Sequence, residues 1–173
     1  MKLSRTAGIV LLIAFNIAID QISKVIVRSN IRLRTETDPG ERINVIGDTF
    51  LMMNVENEGA FLGMGSDMND TLKLLLLKIL PIAVLVYLVY YIIKTTALDK
   101  LSLIALCCIA GGGIANVFDR VAFGKVTDFF HLDFGGVFRT GIFNVADMSV
   151  TFGMIILAYV TLFSKKKKTQ TAA

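Results

Sequence analysis

LKLLLLKILPIAVLVYLVYYII, residues 72–93, carries no charge apart from Lys73 and Lys78 near its start. A bilayer core of about 30 Å takes roughly 20 helical residues to cross. This stretch has that length, and so do residues 7–27, 101–118 and 142–163. The rest of the composition agrees. Of 173 residues, 54% are hydrophobic and 18% charged, and the mean hydropathy is +0.67. A soluble domain of this size has no interior for so much apolar surface. The expected fold is a membrane all-α protein with four transmembrane helices, forming a single domain over residues 1–173.

Lys2 and Arg5 before an apolar run resemble the start of a secretory signal. The run is long, however, lacks a small-x-small cleavage site, and holds Asp20 and Lys24 in its far half. A retained span is expected. Lysine and arginine flanks then set the orientation. Lys2 and Arg5, Lys94 and Lys100, and the lysine run at 165–168 all fall on one side. That side is the cytoplasmic one, with both termini on it. The net charge of +4 comes largely from the terminal run, which beside a span marks a flank facing anionic lipid and calls for no nucleic acid.

The connection at residues 29–71 faces outward and is rich in acids. Between Pro39-Gly40 and Gly59, the β-branched and apolar residues Ile43, Val45, Ile46, Phe50, Met52 and Val55 are mixed with polar ones, so one or two strands are expected there. The fold therefore gains a small extracytoplasmic β-rich segment between spans one and two. Lys73 and Lys78 are expected to snorkel toward this surface. Cys107 and Cys108 are adjacent within an apolar run, and with the lone His131 they give no zinc-ligand spacing.

Polar groups at the ends of spans are costly, at about 2.5–3.5 kcal/mol for a charge at a helix centre. Five clusters recur at the outward ends. In Asp20-Gln21-Ile22-Ser23-Lys24, Asp20 and Lys24 stand four apart with the acid first, the favoured order for a helical ion pair. They form either a self-neutralised pair or a contact to substrate or catalytic groups. Asn57-Glu58-Gly59-Ala60-Phe61 reads as a turn, or as an amide donor beside a glycine that permits close approach. In Gly111-Gly112-Gly113-Ile114-Ala115-Asn116-Val117-Phe118-Asp119-Arg120, the glycines admit a neighbouring helix. Asn116 and Asp119 share a face there, and an Asp119–Arg120 ion pair is expected to anchor the helix end. Val126-Thr127-Asp128-Phe129 falls in the loop after span three. Phe143-Asn144-Val145-Ala146-Asp147 opens span four, with Asp147 one turn inside the helix.

Two aspartates can hydrolyse a peptide without metal or cofactor. One carboxylate deprotonates water, and the other, kept protonated, polarises the scissile carbonyl. Asp128 and Asp147 are the pair that a loop and a helix start can bring together. In this order and on four spans, the five clusters resemble lipoprotein signal peptidase, the bacterial signal peptidase II family, over nearly the whole chain. The resemblance implies an aspartic endopeptidase of the bacterial inner membrane whose site faces outward. It would cut signal peptides from prolipoproteins just before a diacylglyceryl-modified cysteine, and would be blocked by the cyclic peptide globomycin. It further implies Asp128 and Asp147 as catalytic residues. Asp20, Lys24, Asn57, Gly59, Asn116, Asp119, Arg120 and Asn144 would hold substrate or brace the pair. No metal, cofactor or nucleic acid is expected; membrane lipid is, and the chain is expected to be a monomer. Ala115 stands where the family often has glycine, which bears on close helix packing. A proton-coupled transporter would instead string acids across the bilayer, and a scaffold would leave Asp128 and Asp147 without a shared purpose.

Overall fold

The computed structural model describes residues 4–59 and 68–163, so the 165–168 lysine run and the Ala60-Phe61 end of the second cluster lie outside the described residues. Among the described residues, four helices are long and apolar enough to span a membrane: α1 (Arg5–Asn30), α2 (Asp70–Lys94), α3 (Lys100–Ala122) and α4 (Val145–Phe163). Each starts at a side chain that accepts from the first turn, where backbone donors have no helical partner. Ser4 caps α1, Asn69 caps α2 and Asp99 caps α3. Asn144 caps α4 reciprocally: its Oδ1 accepts from the Asp147 amide at 3.0 Å, and Asp147 Oδ2 accepts from the Asn144 amide at 3.1 Å. This is the capping-box arrangement built from Asn and Asp. It moves the start of the last helix from the expected residue 142 to Val145.

Pro81 disturbs α2. Its ring lacks an N–H and crowds the carbonyl four residues back. The helix answers with a π-helical stretch over Leu75–Ile79, in which the Leu80 amide reaches the Leu75 carbonyl. At the far end, the Arg5 guanidinium donates to the carbonyls of Ile92, Ile93 and Thr95 at 2.9, 3.2 and 2.7 Å. A cation thus closes the negative end of α2 and ties it to the start of α1.

Helix α3 is the centre of the bundle. Half of its span is buried, against 6% for α2. Its consecutive glycines each serve a different neighbour. A Cβ at Gly111 would lie 2.7 Å from Asn16 Cβ on α1, one at Gly112 would strike the Ala146 carbonyl of α4, and one at Gly113 would meet Leu85 of α2 at 2.7 Å. Gly153 on α4 returns the approach, with a Cβ there 2.6 Å from the Ala105 carbonyl. Backbones this close gain packing in a solvent that supplies no hydrophobic drive. Ala115 is fully buried, so the alanine is accommodated within this close packing. The outward faces of the helices expose Val10, Phe15, Val86, Phe152 and Ile155, as a lipid-facing surface does.

The β structure exceeds the expectation. An antiparallel sheet of order β1-β2-β3-β4 joins β1 (Arg42–Ile46) and β2 (Phe50–Asn57) to β3 (Val126–Phe134) and β4 (Phe138–Arg139). The second pair of strands comes from the connection between α3 and α4. A β-rich segment confined to the first connection is therefore corrected, as is the reading of Val126-Thr127-Asp128-Phe129 as loop. Those four residues begin β3, held by pairing with β2 in which Val55 faces Asp128 and Asn57 faces Val126. Arg28 near the end of α1 donates to Thr127 Oγ1 at 3.2 Å and stacks over Phe123. The sheet thus sits on the bundle at the end where the polar clusters gather.

Candidate functional site

Lys24 lies one turn inside α1 from Asp20, with no exposed surface. Its ammonium has three donors and no acceptor, and each direction is used. It pairs with Asp20 Oδ2 at 2.7 Å, with Asp119 Oδ2 on α3 at 2.6 Å, and donates to Asn116 Oδ1 at 2.9 Å. Asp20 and Asp119 are equally buried. The other oxygen of Asp20 accepts from the Ala146 amide in the first turn of α4 at 2.8 Å. Gln21, quoted in the first cluster but not chosen as a site residue, donates to Asp119 Oδ1 at 2.9 Å. The cluster is a three-helix brace, more than a local pair easing α1 out of the membrane.

Because Lys24 can only donate, Asn116 must turn its oxygen toward it. The Asn116 amide nitrogen then points the other way and donates to Asp147 Oδ1 at 2.8 Å. Asn144 is fixed by the same logic. Its oxygen is committed to the Asp147 amide, so its nitrogen donates to Asn116 Oδ1 at 3.1 Å and to Asp128 Oδ1 at 2.6 Å. Asn57 completes the set from β2. Its oxygen accepts from the Gly59 amide at 2.9 Å, and its nitrogen donates to Asp128 Oδ2 at 2.9 Å. One amide, Asn144, touches both Asp128 and Asp147.

The expected Asp119–Arg120 ion pair does not describe the contacts of these side chains. Successive residues on a helix point about 100° apart and do not face each other. Asp119 turns to Lys24, whereas Arg120 donates to the Gly59 carbonyl at 2.8 Å and to the Asn116 carbonyl at 3.3 Å. Arg120 thereby ties the end of β2 to α3.

Asp128 is 3% exposed. Burial pushes its carboxyl up to about 6; the Asn57 amide draws it back, and the negative charge of Asp147 nearby raises it further. Among the described residues, no cation forms an ion pair with it. A carboxyl so placed can hold a proton near neutrality, and Asp147 stands on the same amide network.

Both aspartates line one cavity of about 680 Å³. Helix α3 forms its floor through Ile109, Gly113, Asn116, Val117 and Arg120, successive residues of one helix face. Leu77, Leu85 and Val84 of α2 and Val150 and Met154 of α4 form apolar walls. The polar groups gather at one end, the arrangement of a ligand site with a few convergent hydrogen-bonding groups. A second cavity of about 830 Å³, lined by Arg34, Glu36, Glu56 and Glu58, reaches Asp128 from the sheet side. Asp128 is thus flanked by an apolar groove and by a charged vestibule.

Buried carboxylates at the polar head of an apolar groove, on four spanning helices, define an integral membrane enzyme. The family follows from comparison: the chain belongs to signal peptidase (SPase) II, whose family model matches residues 12–163. It is similar to the lipoprotein signal peptidase of Borrelia hermsii (strain HS1 / DAH), 36% identical over 171 residues and 96% of each chain. That of Pelodictyon phaeoclathratiforme (strain DSM 5477 / BU-1) is 34% identical over 173 residues and 95% of each chain. Two solved bacterial membrane enzyme structures share the fold. One has a TM-score of 0.74 at 28% identity, with 93% of each chain covered. The other has a TM-score of 0.75 at 27% identity, covering 91% of this chain and 94% of that one. The protein is accordingly a peptidase of the bacterial inner membrane that removes signal peptides from prolipoproteins.

Proposed function

We propose that Asp128 and Asp147 are the catalytic dyad of an aspartic endopeptidase that cuts just before the diacylglyceryl-modified cysteine. The observation that carries this reading is the shared amide: Asn144 holds Asp128 with its side-chain nitrogen and Asp147 with its oxygen and backbone amide. The two acids divide one proton. One of them, kept protonated, polarises the scissile carbonyl while the other, ionised, takes a proton from the attacking water. The tetrahedral intermediate collapses when the leaving amine takes up a proton from the pair, and the carboxylates return to their starting state. No metal enters this scheme.

Asn116 and Asn144 brace the dyad from α3 and α4. Lys24, Asp20 and Asp119 fix the brace. Asn57, Gly59 and Arg120 position the outer edge, where substrate backbone would pass. The apolar groove suits the signal peptide's hydrophobic stretch, and a lipid-anchored cysteine brings the scissile bond to the depth of its polar head. The whole chain acts as one domain and as a monomer, with both termini cytoplasmic and the site on the outer face. Lys94 and Lys100 at the end opposite the sheet support that orientation. Globomycin-type peptides would compete for the groove.

The test is cleavage of a lipidated prolipoprotein in detergent. Asp128→Asn and Asp147→Asn should each abolish product while the protein stays folded, and EDTA should leave the wild-type rate intact. Near-normal turnover by either variant sinks the dyad. Equal cleavage of a non-lipidated precursor sinks the substrate class.

A further inference from the structure

A separate cavity of about 420 Å³ opens between the sheet-side ends of α2 and α3. Lys73, Lys78, Arg120 and Lys125 line it, against only two acids, Glu58 and Asp70. Two of the lysines are engaged: Lys73 with Glu58 at 3.4 Å, and Lys125 with Glu56 at 2.5 Å. Lys78 is different. It sits half-buried in the π-helical stretch of α2, and among the described residues it makes no ion pair or hydrogen bond. The Arg120 Nε is buried and also has no acceptor. A half-buried ammonium inside a spanning helix is costly unless an anion meets it.

Directly along the same α2–α3 crevice lies an apolar groove of about 470 Å³. Ile82, Val86 and Val89 form one side of it, and Val117, Phe118 and Val121 the other. Ile82 is one helical turn beyond Lys78, so the groove follows the cationic cavity along the same face of α2. An anionic head above two apolar helix faces is the shape of a phospholipid.

We infer that the α2–α3 crevice is a binding site for an anionic glycerophospholipid, with its phosphate at Lys78 and Arg120 and an acyl chain along Val86 and Val121. This lipid is distinct from the substrate's diacylglyceryl group, which carries no phosphate. Arg120 lines both this cavity and the groove of the proposed dyad, so the bound lipid would form part of the wall that substrate meets.

The experiment is native mass spectrometry of the full chain in detergent, titrated with phosphatidylglycerol or with phosphatidylcholine of the same chains. Wild type should hold phosphatidylglycerol in preference. Lys78→Gln should weaken phosphatidylglycerol about fivefold, the size expected for one lysine at an anionic lipid surface, and leave phosphatidylcholine unchanged. Lys78→Arg should restore it. Val86→Trp, on an exposed face of α2, should fill the groove and weaken both lipids. Equal retention of the two lipids by wild type overturns the site, as does a Lys78→Gln protein that holds phosphatidylglycerol normally. Displacement by millimolar inorganic phosphate, with Val86→Trp without effect, would leave a free-phosphate site and overturn the lipid.

Discussion

Lys24→Met tests the brace most directly. The substitution keeps the length of the side chain and removes the charge, leaving Asp20 and Asp119 facing each other with no exposed surface. At 2.7 and 2.6 Å, each ion pair has a Coulomb attraction of about 6 kcal/mol at an effective dielectric near 20. Desolvation of three buried charges offsets most of that sum. Breaking such a cluster by removing one partner costs about 3–5 kcal/mol, because the remaining charge is stranded. For a protein of this size, roughly 2–4 °C of melting temperature is lost per kcal/mol. Lys24→Met should therefore melt some 6–20 °C below wild type in detergent. A second expectation separates stranded charge from lost packing. Adding Asp20→Asn and Asp119→Asn to Lys24→Met should recover most of the loss, since no buried charge then remains. Activity should not recover with it, because Asn116 has lost the donor that orients its amide toward Asp147. The assay is thermal unfolding of the three proteins beside their cleavage rates. A Lys24→Met protein melting within 2 °C of wild type would refute the reasoning, as would a triple variant no more stable than the single one.

Asp128 and the glycines give further expectations. The folded-state carboxyl of Asp128 is raised from 3.8 to about 6, so the native state binds the extra proton between those values. Stability from this group is fully present below about pH 4 and falls as pH rises through 6. That decline amounts to about 3 kcal/mol, and Asp128→Asn should abolish it, leaving a flat profile lowered by the new side-chain nitrogen that faces the Asn57 or Asn144 donor. Melting curves across pH 4–8 check it, and a variant whose stability falls with pH as steeply as that of the wild type would contradict the burial argument. Gly153→Ala drives a methyl against the rigid Ala105 carbonyl and should cost about 1–3 kcal/mol. Gly113→Ala meets only the flexible end of Leu85 and Gly8→Ala meets nothing within 4 Å, so both should melt near wild type; equal losses at all three would remove the close-approach explanation.

Hydropathy located the four helices because lipid demands length and apolarity, and those are local properties. Their ends depend on caps. Ser4 starts α1 before the apolar run begins, and Asn144 delays α4 beyond Ile142. The third helix runs on to Ala122, past the expected end at residue 118, because Asp119 is neutralised by Lys24 of α1 and Arg120 is held by the Gly59 carbonyl, partners distant in sequence. The same distance hid β3. Its residues Val126 to Asp128 form a strand only because β2 lies beside them. Within the candidate site, the three-residue spacing placed Asn116 with Asp119 on a common face, where Lys24 meets both. The proposed Asp119–Arg120 pair failed a rule available from sequence, since adjacent helical residues diverge. Gln21 was also within reach: a polar residue beside Asp20 in an apolar helix has to find a partner.

The amide network has one further consequence. A lysine that only donates stands at one end, and backbone N–H groups that only donate stand at Asp147 and Gly59. Turning over Asn116 or Asn57, or Asn144 against the Asp147 amide, would set donor against donor or acceptor against acceptor. The chain therefore has a single orientational state. In the proposed dyad, charge that develops between the two aspartates would meet dipoles already pointed at it and spend nothing on turning them, which is the sense in which a site can be finished before its substrate arrives.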